Sequence, residues 1–300
     1  GRFLERLAGT TLIAFDKTGT LTEGNLTLKE TILMGPQSAA EVMDIAASLE
    51  KVSRHPIAEA FGKGSSKVLE REVVPGAGVK GIIDGIPYRL GEASFALENA
   101  TVPDSSGMWV LLAHHEPLAW FRFEDKPRTE ARETISDLDA MGYKMCLLTG
   151  DRSSEGQRLA ETLGISDVKK GLSPEGKVNE VSVKQKLGEQ ILMVGDGIND
   201  TAAMGISDVS IAFSPVDIFV QSSADATLLS NNLGSITLAI KFARKARRII
   251  TQNIVWAVAY NICVIPIAVS GIIEPWMAAL GMSLSSVFVV LNANRLMRVS

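Results

Sequence analysis

The sequence predicts an α/β protein with a doubly wound parallel sheet, an inserted α+β domain and a C-terminal transmembrane helical hairpin. Three observations support this prediction. Buried strands alternate with helices and are followed by aspartates, at Asp16, Asp151 and Asp196. A region of short β runs punctuated by glycine, within residues 30–121, separates the first of these strands from the others. Two apolar segments without charged residues, at about 249–273 and 276–294, end the sequence.

The composition limits the classes of protein that fit. The 300 residues are enough for about two domains of ~150 residues each, and the net charge is −4. This mild acidity, with basic residues clustered only near position 245, argues against nucleic acid as a partner. The two cysteines, Cys146 and Cys263, form neither a disulfide framework nor a metal-binding pair, which indicates a reducing compartment.

The chemistry is expected where the first strand ends. The run Thr11–Phe15 suits a buried parallel strand, and Asp16-Lys17-Thr18-Gly19-Thr20 follows it directly. Catalytic groups gather at the carboxyl ends of strands in open parallel sheets. A carboxylate there, beside a lysine and a loop of free N–H donors, is placed to attack a phosphoryl group and form an aspartyl-phosphate. A lone aspartate after a strand more commonly opens a turn.

The predicted insert begins with a linking strand at Leu26–Met34. Ser38–Glu50 is predicted to be a helix, because Ser38 and Glu41 have the spacing of a capping box. A second helix is predicted at Ile57–Leu69, and short β runs follow from Glu72 onward.

The parallel α/β pattern resumes at Asp125. The predicted helices and strands are Arg128–Met141, Lys144–Leu148, Glu155–Leu163, Glu189–Val194, Val209–Ala212 and Ala226–Leu229. Loops after two of these strands carry Asp151 and Asp196, so we expect both to converge with Asp16 on one edge of the sheet.

The two terminal apolar segments are predicted to cross a membrane. Each has about the length that a bilayer requires. Basic residues flank their outer ends, whereas the linking turn holds only Glu274 and Pro275. The positive-inside tendency therefore places both ends in the cytosol. A buried helical hairpin in a soluble protein is the alternative.

Taken together, DKTGTLT at residues 16–22, TGD at 149–151, GDGIND at 195–200 and the two apolar segments resemble the C-terminal half of a P-type ATPase. The resemblance implies a phosphorylation domain of haloacid-dehalogenase-like fold, an inserted nucleotide-binding domain, and ATP and Mg²⁺ as cofactors. Its expected divisions are 1–29 and 122–233 for the phosphorylation domain, 30–121 for the insert, and 234–300 for a basic helix with two transmembrane helices.

The resemblance also implies roles for individual residues. Asp16 would attack the γ-phosphate of ATP, and Lys177, in Ser-Pro-Glu-Gly-Lys, would neutralise the charge of the transferring phosphoryl group. Mg²⁺ would bind the Asp16 carboxylate, the Thr18 carbonyl and Asp196, which are hard oxygen ligands. The remaining residues of the implied catalytic set are Thr149, Gly150, Asp151, Asn199 and Asp200.

Thr18 distinguishes a pump from a phosphatase. In related hydrolases, the position two residues after the nucleophile is often an aspartate that acts as acid and base. Threonine cannot transfer that proton, so an aspartyl-phosphate at Asp16 should persist, as an ion pump requires. A soluble phosphatase of the same fold is the alternative enzyme.

The insert resembles the adenine site of the heavy-metal, or type IB, subclass. The residues that match are Glu50, His55 in a His-Pro pair, Gly76, Gly78 and Gly91. Glycine allows a nucleotide to approach the backbone closely. A lone His-Pro dipeptide would be an ordinary turn, and a lone Gly-x-Gly is a weak signal.

The apolar segments resemble those of the copper(I)-transporting branch, and within it they resemble the type that serves cytochrome oxidase assembly. The expected Cu⁺ ligands are Tyr260, Asn261, Met282 and Ser285. Thioether sulfur suits a soft ion, and neither segment contains a carboxylate that would hold Zn²⁺. Helix packing is the alternative role for Met282 and Ser285, and a Zn²⁺/Cd²⁺ pump is the alternative transporter.

The resemblance implies a multi-pass protein of the cell's inner membrane, with cytoplasmic phosphorylation and nucleotide-binding domains. It implies ATP, copper and the lipid bilayer as partners, and leaves a copper chaperone open. We expect the sequence to be part of a longer protein, with an actuator domain and further transmembrane helices upstream.

Overall fold

A computed structural model describes residues 1–51, 57–104, 107–151, 153–196, 200–213, 224–230, 232–271 and 274–298. The elements of the N-terminal half are α1 (Arg2–Gly9), β1 (Leu12–Asp16), β2 (Thr22–Leu33), α2 (Ala39–Glu50), α3 (Ile57–Phe61), β3 (Leu69–Val74), β4 (Gly78–Ile83), β5 (Ile86–Gly91), α4 (Ala93–Ala96), β6 (Met108–Ala113) and β7 (Pro117–Pro127).

The C-terminal half continues the alternation of helices and strands. Its elements are α5 (Ala131–Ala140), β8 (Lys144–Leu148), α6 (Glu155–Leu163), β9 (Asp167–Lys169), α7 (Pro174–Lys186), β10 (Ile191–Gly195), α8 (Thr201–Ile206), β11 (Val209–Ala212), β12 (Ala226–Thr227), α9 (Gly234–Val269), α10 (Pro275–Ala293) and a final 3₁₀ turn (Asn294–Arg298).

The first sheet is parallel, with strand order β12-β11-β10-β1-β8-β9. β1 lies near its centre, and all five of its residues are buried. Successive side chains of a strand point to opposite faces. Accordingly, Ile13 and Phe15 pack with α5, α6 and α9, whereas Ala14 packs with α7 and α8. The predicted doubly wound parallel sheet is therefore confirmed.

The second sheet is antiparallel, with order β2-β7-β6-β5-β4-β3, and α2 and α3 cover one face. Phe61 of α3 anchors this packing, because its ring meets Phe121 and Phe123 edge to face at 4.9 and 5.1 Å. The predicted α+β insert is confirmed. Ser38 also caps α2, since its hydroxyl accepts the Glu41 N–H as the capping box predicts.

The predicted helix Ile57–Leu69 is wrong beyond Phe61. Gly62 has φ +79°, which ends the helix. The hydroxyls of Ser65 and Ser66 then donate to the carboxylate of Asp44 at 2.7 and 2.6 Å, and the Ser65 N–H donates at 2.8 Å. The segment is therefore tied to α2 by side-chain hydrogen bonds that compete with helical ones.

β2 and β7 link the two sheets. They pair with each other and run from Thr22 beside Pro127 to Leu33 beside Ala119. The expected divisions after residues 29 and 121 lie inside these two strands, so the insert is joined to its host by a continuous two-stranded ribbon. The division into domains at these residues stays a prediction.

α9 begins in the core of the first sheet and leaves it within one helix. Ile236, Ile240 and Ala243 are buried there, whereas Ile254 and Ile262 are exposed. α10 lies antiparallel to it, because Asn253 contacts Asn292 and Trp256 contacts Ser285. Within the described residues, the two helical stretches that are long and apolar enough to cross a membrane, by length and composition, are Gly234–Val269 and Ala279–Leu296.

Candidate active site

Asp16 lies at the carboxyl edge of the parallel sheet, where β1 ends between β8 and β10. The loop after it turns sharply at Gly19, where φ is +72°. A Cβ at Gly19 would lie 3.3 Å from the Cβ of Asp196, so this position needs glycine for both conformation and space. The loop thereby brings Asp16 and Asp196, which follow neighbouring strands, to one place.

A buried lysine joins two aspartates at this edge. The Nζ of Lys177 donates to Asp16 Oδ1 and to Asp200 Oδ1, each at 2.6 Å. Lys177 is on α7 and Asp200 immediately precedes α8, so one cation connects three separate elements. All three side chains are buried, where charged groups are retained only when they are paired.

The charges of this cluster shift one another. Burial, and then the neighbouring carboxylate of Asp200, raise the pKa of Asp16 to about 7, although Lys177 opposes this shift. Burial tends to lower the pKa of Lys177, but Asp16 and Asp200 outweigh it and raise that pKa. Lys177 therefore stays cationic, and the ionised carboxylate of Asp16 would be stabilised by a further positive charge nearby.

The donor set fits a hard divalent cation. Carboxylate oxygens of Asp16, Asp196 and Asp200 lie within 4.8 Å of one another. Within the described part of the chain, the second oxygen of Asp200 is buried and has no hydrogen-bond partner. Three carboxylates against one lysine leave excess negative charge, which Mg²⁺ would balance with the oxygen ligands it prefers. Thr18 is exposed beside this group.

Asp151 is on the same edge but its carboxylate is held elsewhere. It pairs with the Nζ of Lys17, a buried lysine that also lies 3.5 Å from Glu155. It also accepts the Ser153 N–H at 2.8 Å. The three strand ends are thus neighbours, as the sequence predicts, but Asp200 rather than Asp151 completes the carboxylate cluster around Asp16.

The remaining implied catalytic residues are in two loops. Thr149 is buried, and its hydroxyl accepts the Asp151 N–H at 3.1 Å. Gly150 is exposed next to it. Asn199 lies outside the described residues.

Two residues that the sequence analysis missed support the loop after Asp16. The Nε of Arg128 donates to the Thr20 carbonyl at 2.8 Å, and its Nη2 donates to that of Gly19 at 3.1 Å. Its guanidinium also stacks on Phe213, 4.3 Å from the ring centroid. Asp125 accepts the Gly24 N–H at 3.0 Å and contacts the Thr22 hydroxyl. The loop is therefore held in place by residues at and directly after the end of β7, the strand that leads from the insert back to the first sheet.

The expected adenine site is partly described. Gly78 and Gly91 are directly opposite each other in the pairing of β4 with β5. A Cβ at Gly78 would lie 2.2 Å from the Leu90 carbonyl oxygen, so these glycines are needed for contact between the strands themselves. Gly76 occupies a turn with φ +75° and open space around it. Glu50 is buried at the end of α2, and His55 lies outside the described residues.

A cleft of about 560 Å³ is on the same sheet. Lys80, Tyr88, Arg89, His114 and His115 are among its lining residues. None of the four described residues of the expected adenine site lines this cleft, so its size has no bearing on that prediction.

The expected copper ligands are on the paired helices α9 and α10. Tyr260 packs against α10 at Gly281, where an added Cβ would lie 2.5 Å from its hydroxyl. Ser285 accepts the Trp256 indole N–H at 3.2 Å. Asn261 and Met282 are exposed. Among the described side chains, no hydrogen bond joins two of these four residues.

Comparisons with known proteins agree with this geometry. Residues 10–206 match the family model described as haloacid dehalogenase-like hydrolase. The nitrogen fixation protein FixI of Rhizobium leguminosarum bv. viciae is 38% identical over 99% of this chain and 39% of its own length. A copper-exporting P-type ATPase of Mycobacterium tuberculosis is 32% identical over 98% of this chain and 40% of its own length. The chain therefore spans about two fifths of the length of the curated relatives that it matches.

Two kinds of solved structure are similar. The crystal structure of a zinc-transporting PIB-type ATPase in an E2.Pi state matches 99% of this chain and 51% of its own, with TM-score 0.79 and 29% identity. The catalytic domain of the CPx-ATPase CopB-B matches 80% of this chain and 93% of its own, with TM-score 0.68 and 31% identity. The resemblance to P-type ATPases found in the sequence is thus confirmed for the chain as a whole.

Proposed function

The chain belongs to the haloacid dehalogenase-like hydrolase family, and we propose that it serves ATP-driven export of copper(I) through an aspartyl-phosphate at Asp16. The observation that supports this most is the buried contact of Lys177 with both Asp16 and Asp200 at 2.6 Å. A permanent cation thus lies against Asp16, at the edge where the carboxylates of Asp196 and Asp200 also converge. Such an arrangement suits phosphoryl transfer, in which positioning and charge neutralisation supply most of the catalysis.

In the proposed reaction, a carboxylate oxygen of Asp16 forms a bond to the γ-phosphorus of ATP. The bond from that phosphorus to the β,γ-bridging oxygen breaks, and ADP leaves with the electron pair. Lys177 stabilises the negative charge on the transferring group. Asp16, Asp196 and the Thr18 carbonyl would hold Mg²⁺, with Asp200 beside them, and the ion would supply charge neutralisation.

Thr18 supports a lasting phosphoenzyme over rapid hydrolysis. Its hydroxyl is no general base at neutral pH, so the position two residues after Asp16 lacks the acid-base group that a phosphatase uses. The stored phosphoryl group would then be available for coupling to transport. Fast turnover of a generic phosphate ester by the protein would favour the phosphatase instead.

Labelling with [γ-³²P]ATP tests the proposed nucleophile. We expect acid-stable label, released by hydroxylamine as an acyl phosphate should be, and its complete loss in Asp16→Asn. Asp139→Asn, an exposed aspartate on α5, is the matched control and should keep its label. Label that persists in Asp16→Asn would place the nucleophile elsewhere.

Copper(I) as the transported ion rests on the soft thioether of Met282 and the absence of carboxylates from residues 249–273 and 276–294. Copper-exporting relatives support it, and the expected ligands are Tyr260, Asn261, Met282 and Ser285. The similar zinc-transporting structure favours Zn²⁺ as the second candidate. ATPase activity of the protein should rise with Cu⁺ and stay unchanged with Zn²⁺, and the reverse result would exclude copper.

The proposal places α9 and α10 in the cell's inner membrane and both sheets in the cytoplasm, as the basic residues at the outer helix ends favour. ATP would bind the second sheet near Glu50, His55, Gly76, Gly78 and Gly91. A copper chaperone as the donor remains part of this proposal.

A further inference from the structure

A basic cavity lies where the proposed membrane helices meet the phosphorylation domain. It encloses about 300 Å³ between α9, Met141 at the end of α5 and the 3₁₀ turn after α10. Its charged lining residues are Lys241, Arg244, Lys245, Arg248 and Arg295. The lining residues that the structure describes include no acidic one, so five cations surround one concave space.

The helical repeat explains how four of these cations share one face. Positions three, four and seven residues apart lie on the same side of a helix, and 241, 244, 245 and 248 have this spacing. Arg247 is on a different face, where its guanidinium lies 3.8 Å from the Cβ position of Gly9. The basic residues of the cavity thus form a stripe along one face of α9, and Arg247 lies outside this stripe.

The fifth cation comes from the other helix and is held in position. Arg295 donates from Nη1 to Asn292 Oδ1 at 3.0 Å. The amide of Asn292, a buried residue, donates in turn to Asn253 at 2.8 Å and lies 3.3 Å from Gln252 Oε1. These contacts between α9 and α10 orient the guanidinium of Arg295 at the edge of the cavity.

Among the described residues, no carboxylate forms an ion pair with Arg244, Arg248 or Arg295, three of the cations that line the cavity. The carboxylate of Asp137 lies 3.4 Å from Lys241, and both of these side chains are half exposed. Arg244 is bound to the Met141 carbonyl at 3.2 Å and stacks on Tyr143 at 4.4 Å, so it contributes charge from a fixed place. An anion that enters the cavity would therefore meet positioned donors on two sides.

The place of the cavity in the chain identifies the anion. Arg248 is the last charged residue of α9, and the exposed apolar side chains of Ile250 and Ile254 follow within two turns. The cavity opens where a bilayer's headgroups would lie if α9 crosses it. Basic pockets at this depth suit the phosphate of an anionic lipid. We propose that the cavity binds the phosphate headgroup of an anionic phospholipid of the cytoplasmic leaflet.

This inference rests on the proposal that α9 and α10 cross a membrane. A lipid bound at this position would connect the membrane surface with α9, the helix whose first turns pack in the core of the first sheet. It would hold α9 at a defined depth and so fix the distance between the membrane and Asp16.

Retention of phosphatidylglycerol by the purified full chain in detergent, counted by native mass spectrometry, tests the proposal. We expect phosphatidylglycerol to bind the chain far more tightly than phosphatidylcholine. Arg248→Gln should weaken binding about fivefold, and adding Arg295→Gln should bring the loss to about 25-fold, as one basic group contributes about fivefold near an anionic headgroup.

Arg247→Gln is the matched control, because it removes an equal charge from the same turn of α9 on a different face. It should change binding less than twofold. Equal weakening by Arg247→Gln and Arg248→Gln would indicate diffuse attraction and overturn the site. Displacement of the lipid by an equal concentration of glycerol phosphate would also overturn it, since the ligand would then be a soluble phosphate.

Alkaline extraction of vesicles that contain the chain separates the two proposals. Release of the chain would refute the membrane helices, and the lipid site with them. Retention of the chain without a preference for phosphatidylglycerol would refute the lipid site alone. Loss of ³²P labelling in Asp16→Asn should leave lipid binding unchanged.

Discussion

Replacing Arg128 with methionine would remove the side chain that fixes the loop after Asp16. The guanidinium donates to the carbonyls of Thr20 and Gly19 and stacks on Phe213, and only 8% of the residue is exposed. Each hydrogen bond from a charged donor contributes about 1.5–3 kcal/mol, and the stacked ring about 0.5–2 kcal/mol. Methionine keeps some packing on Phe213, so we expect a net loss of about 3 kcal/mol in the free energy of unfolding.

Thermal unfolding measures this effect. For a domain of this size, about 3 kcal/mol corresponds to a decrease in Tm of roughly 6–12 °C. Arg132→Met is the control, since Arg132 is exposed on α5, which begins three residues after Arg128, and it should lower Tm by less than about 2 °C. Arg128→Lys should lower Tm by an intermediate amount, because lysine keeps the charge but lacks the planar guanidinium that donates to both carbonyls. Equal Tm values for Arg128→Met and Arg132→Met would refute the assigned contacts.

Three further predictions concern the site and the second sheet. Lys177→Met should slow ³²P labelling about 10²–10³-fold, the usual effect of removing one donor that stabilises the transition state, whereas Lys186→Met, which alters an exposed lysine on the same helix, should leave it unchanged. Chelation of Mg²⁺ by EDTA should abolish labelling without changing the circular dichroism spectrum; label that survives chelation would contradict the role given to the carboxylate cluster. Gly78→Ala should destabilise the second sheet by more than about 2 kcal/mol in urea unfolding, because its Cβ would overlap the Leu90 carbonyl. Gly85→Ala, with φ +80° but open space, should cost only about 1 kcal/mol, and equal losses would show that conformation alone matters.

The parallel strands could be predicted because their pattern is local. β8 and β11 have the predicted bounds, since apolar runs such as residues 145–148 stand out from the polar residues on either side. The convergence of Asp16 and Asp196 followed from the rule for strand ends. The direction of a single side chain does not follow from that rule. Asp151 turns to Lys17 because the buried lysine needs a countercharge, a tertiary requirement that no spacing encodes.

Other features depend on contacts that leave little trace in the sequence. Arg128 binds backbone carbonyls, which every residue has, so nothing in the residue types of its loop partners indicates it. α7 has a clear start signal, with Ser173 as N-cap and Pro174 in its first turn, but only Lys177 and Val181 are buried on it. A helix with so small a buried face lacks the apolar repeat on which prediction relies. Lys177 was found through the family's motif alone.

The unbroken course of α9 makes it a lever. Its 36 residues extend about 54 Å at 1.5 Å per residue, with buried side chains near one end and exposed apolar side chains along the rest. A tilt of only about 10° at the end beside the first sheet would displace a point 20 residues farther along by about 5 Å, close to one helical turn. Pro266 lies near the far end, where the missing hydrogen bond permits a bend. Small movements of the first sheet near Asp16 would thus become larger displacements at the far end of α9, because the helix is continuous between the two.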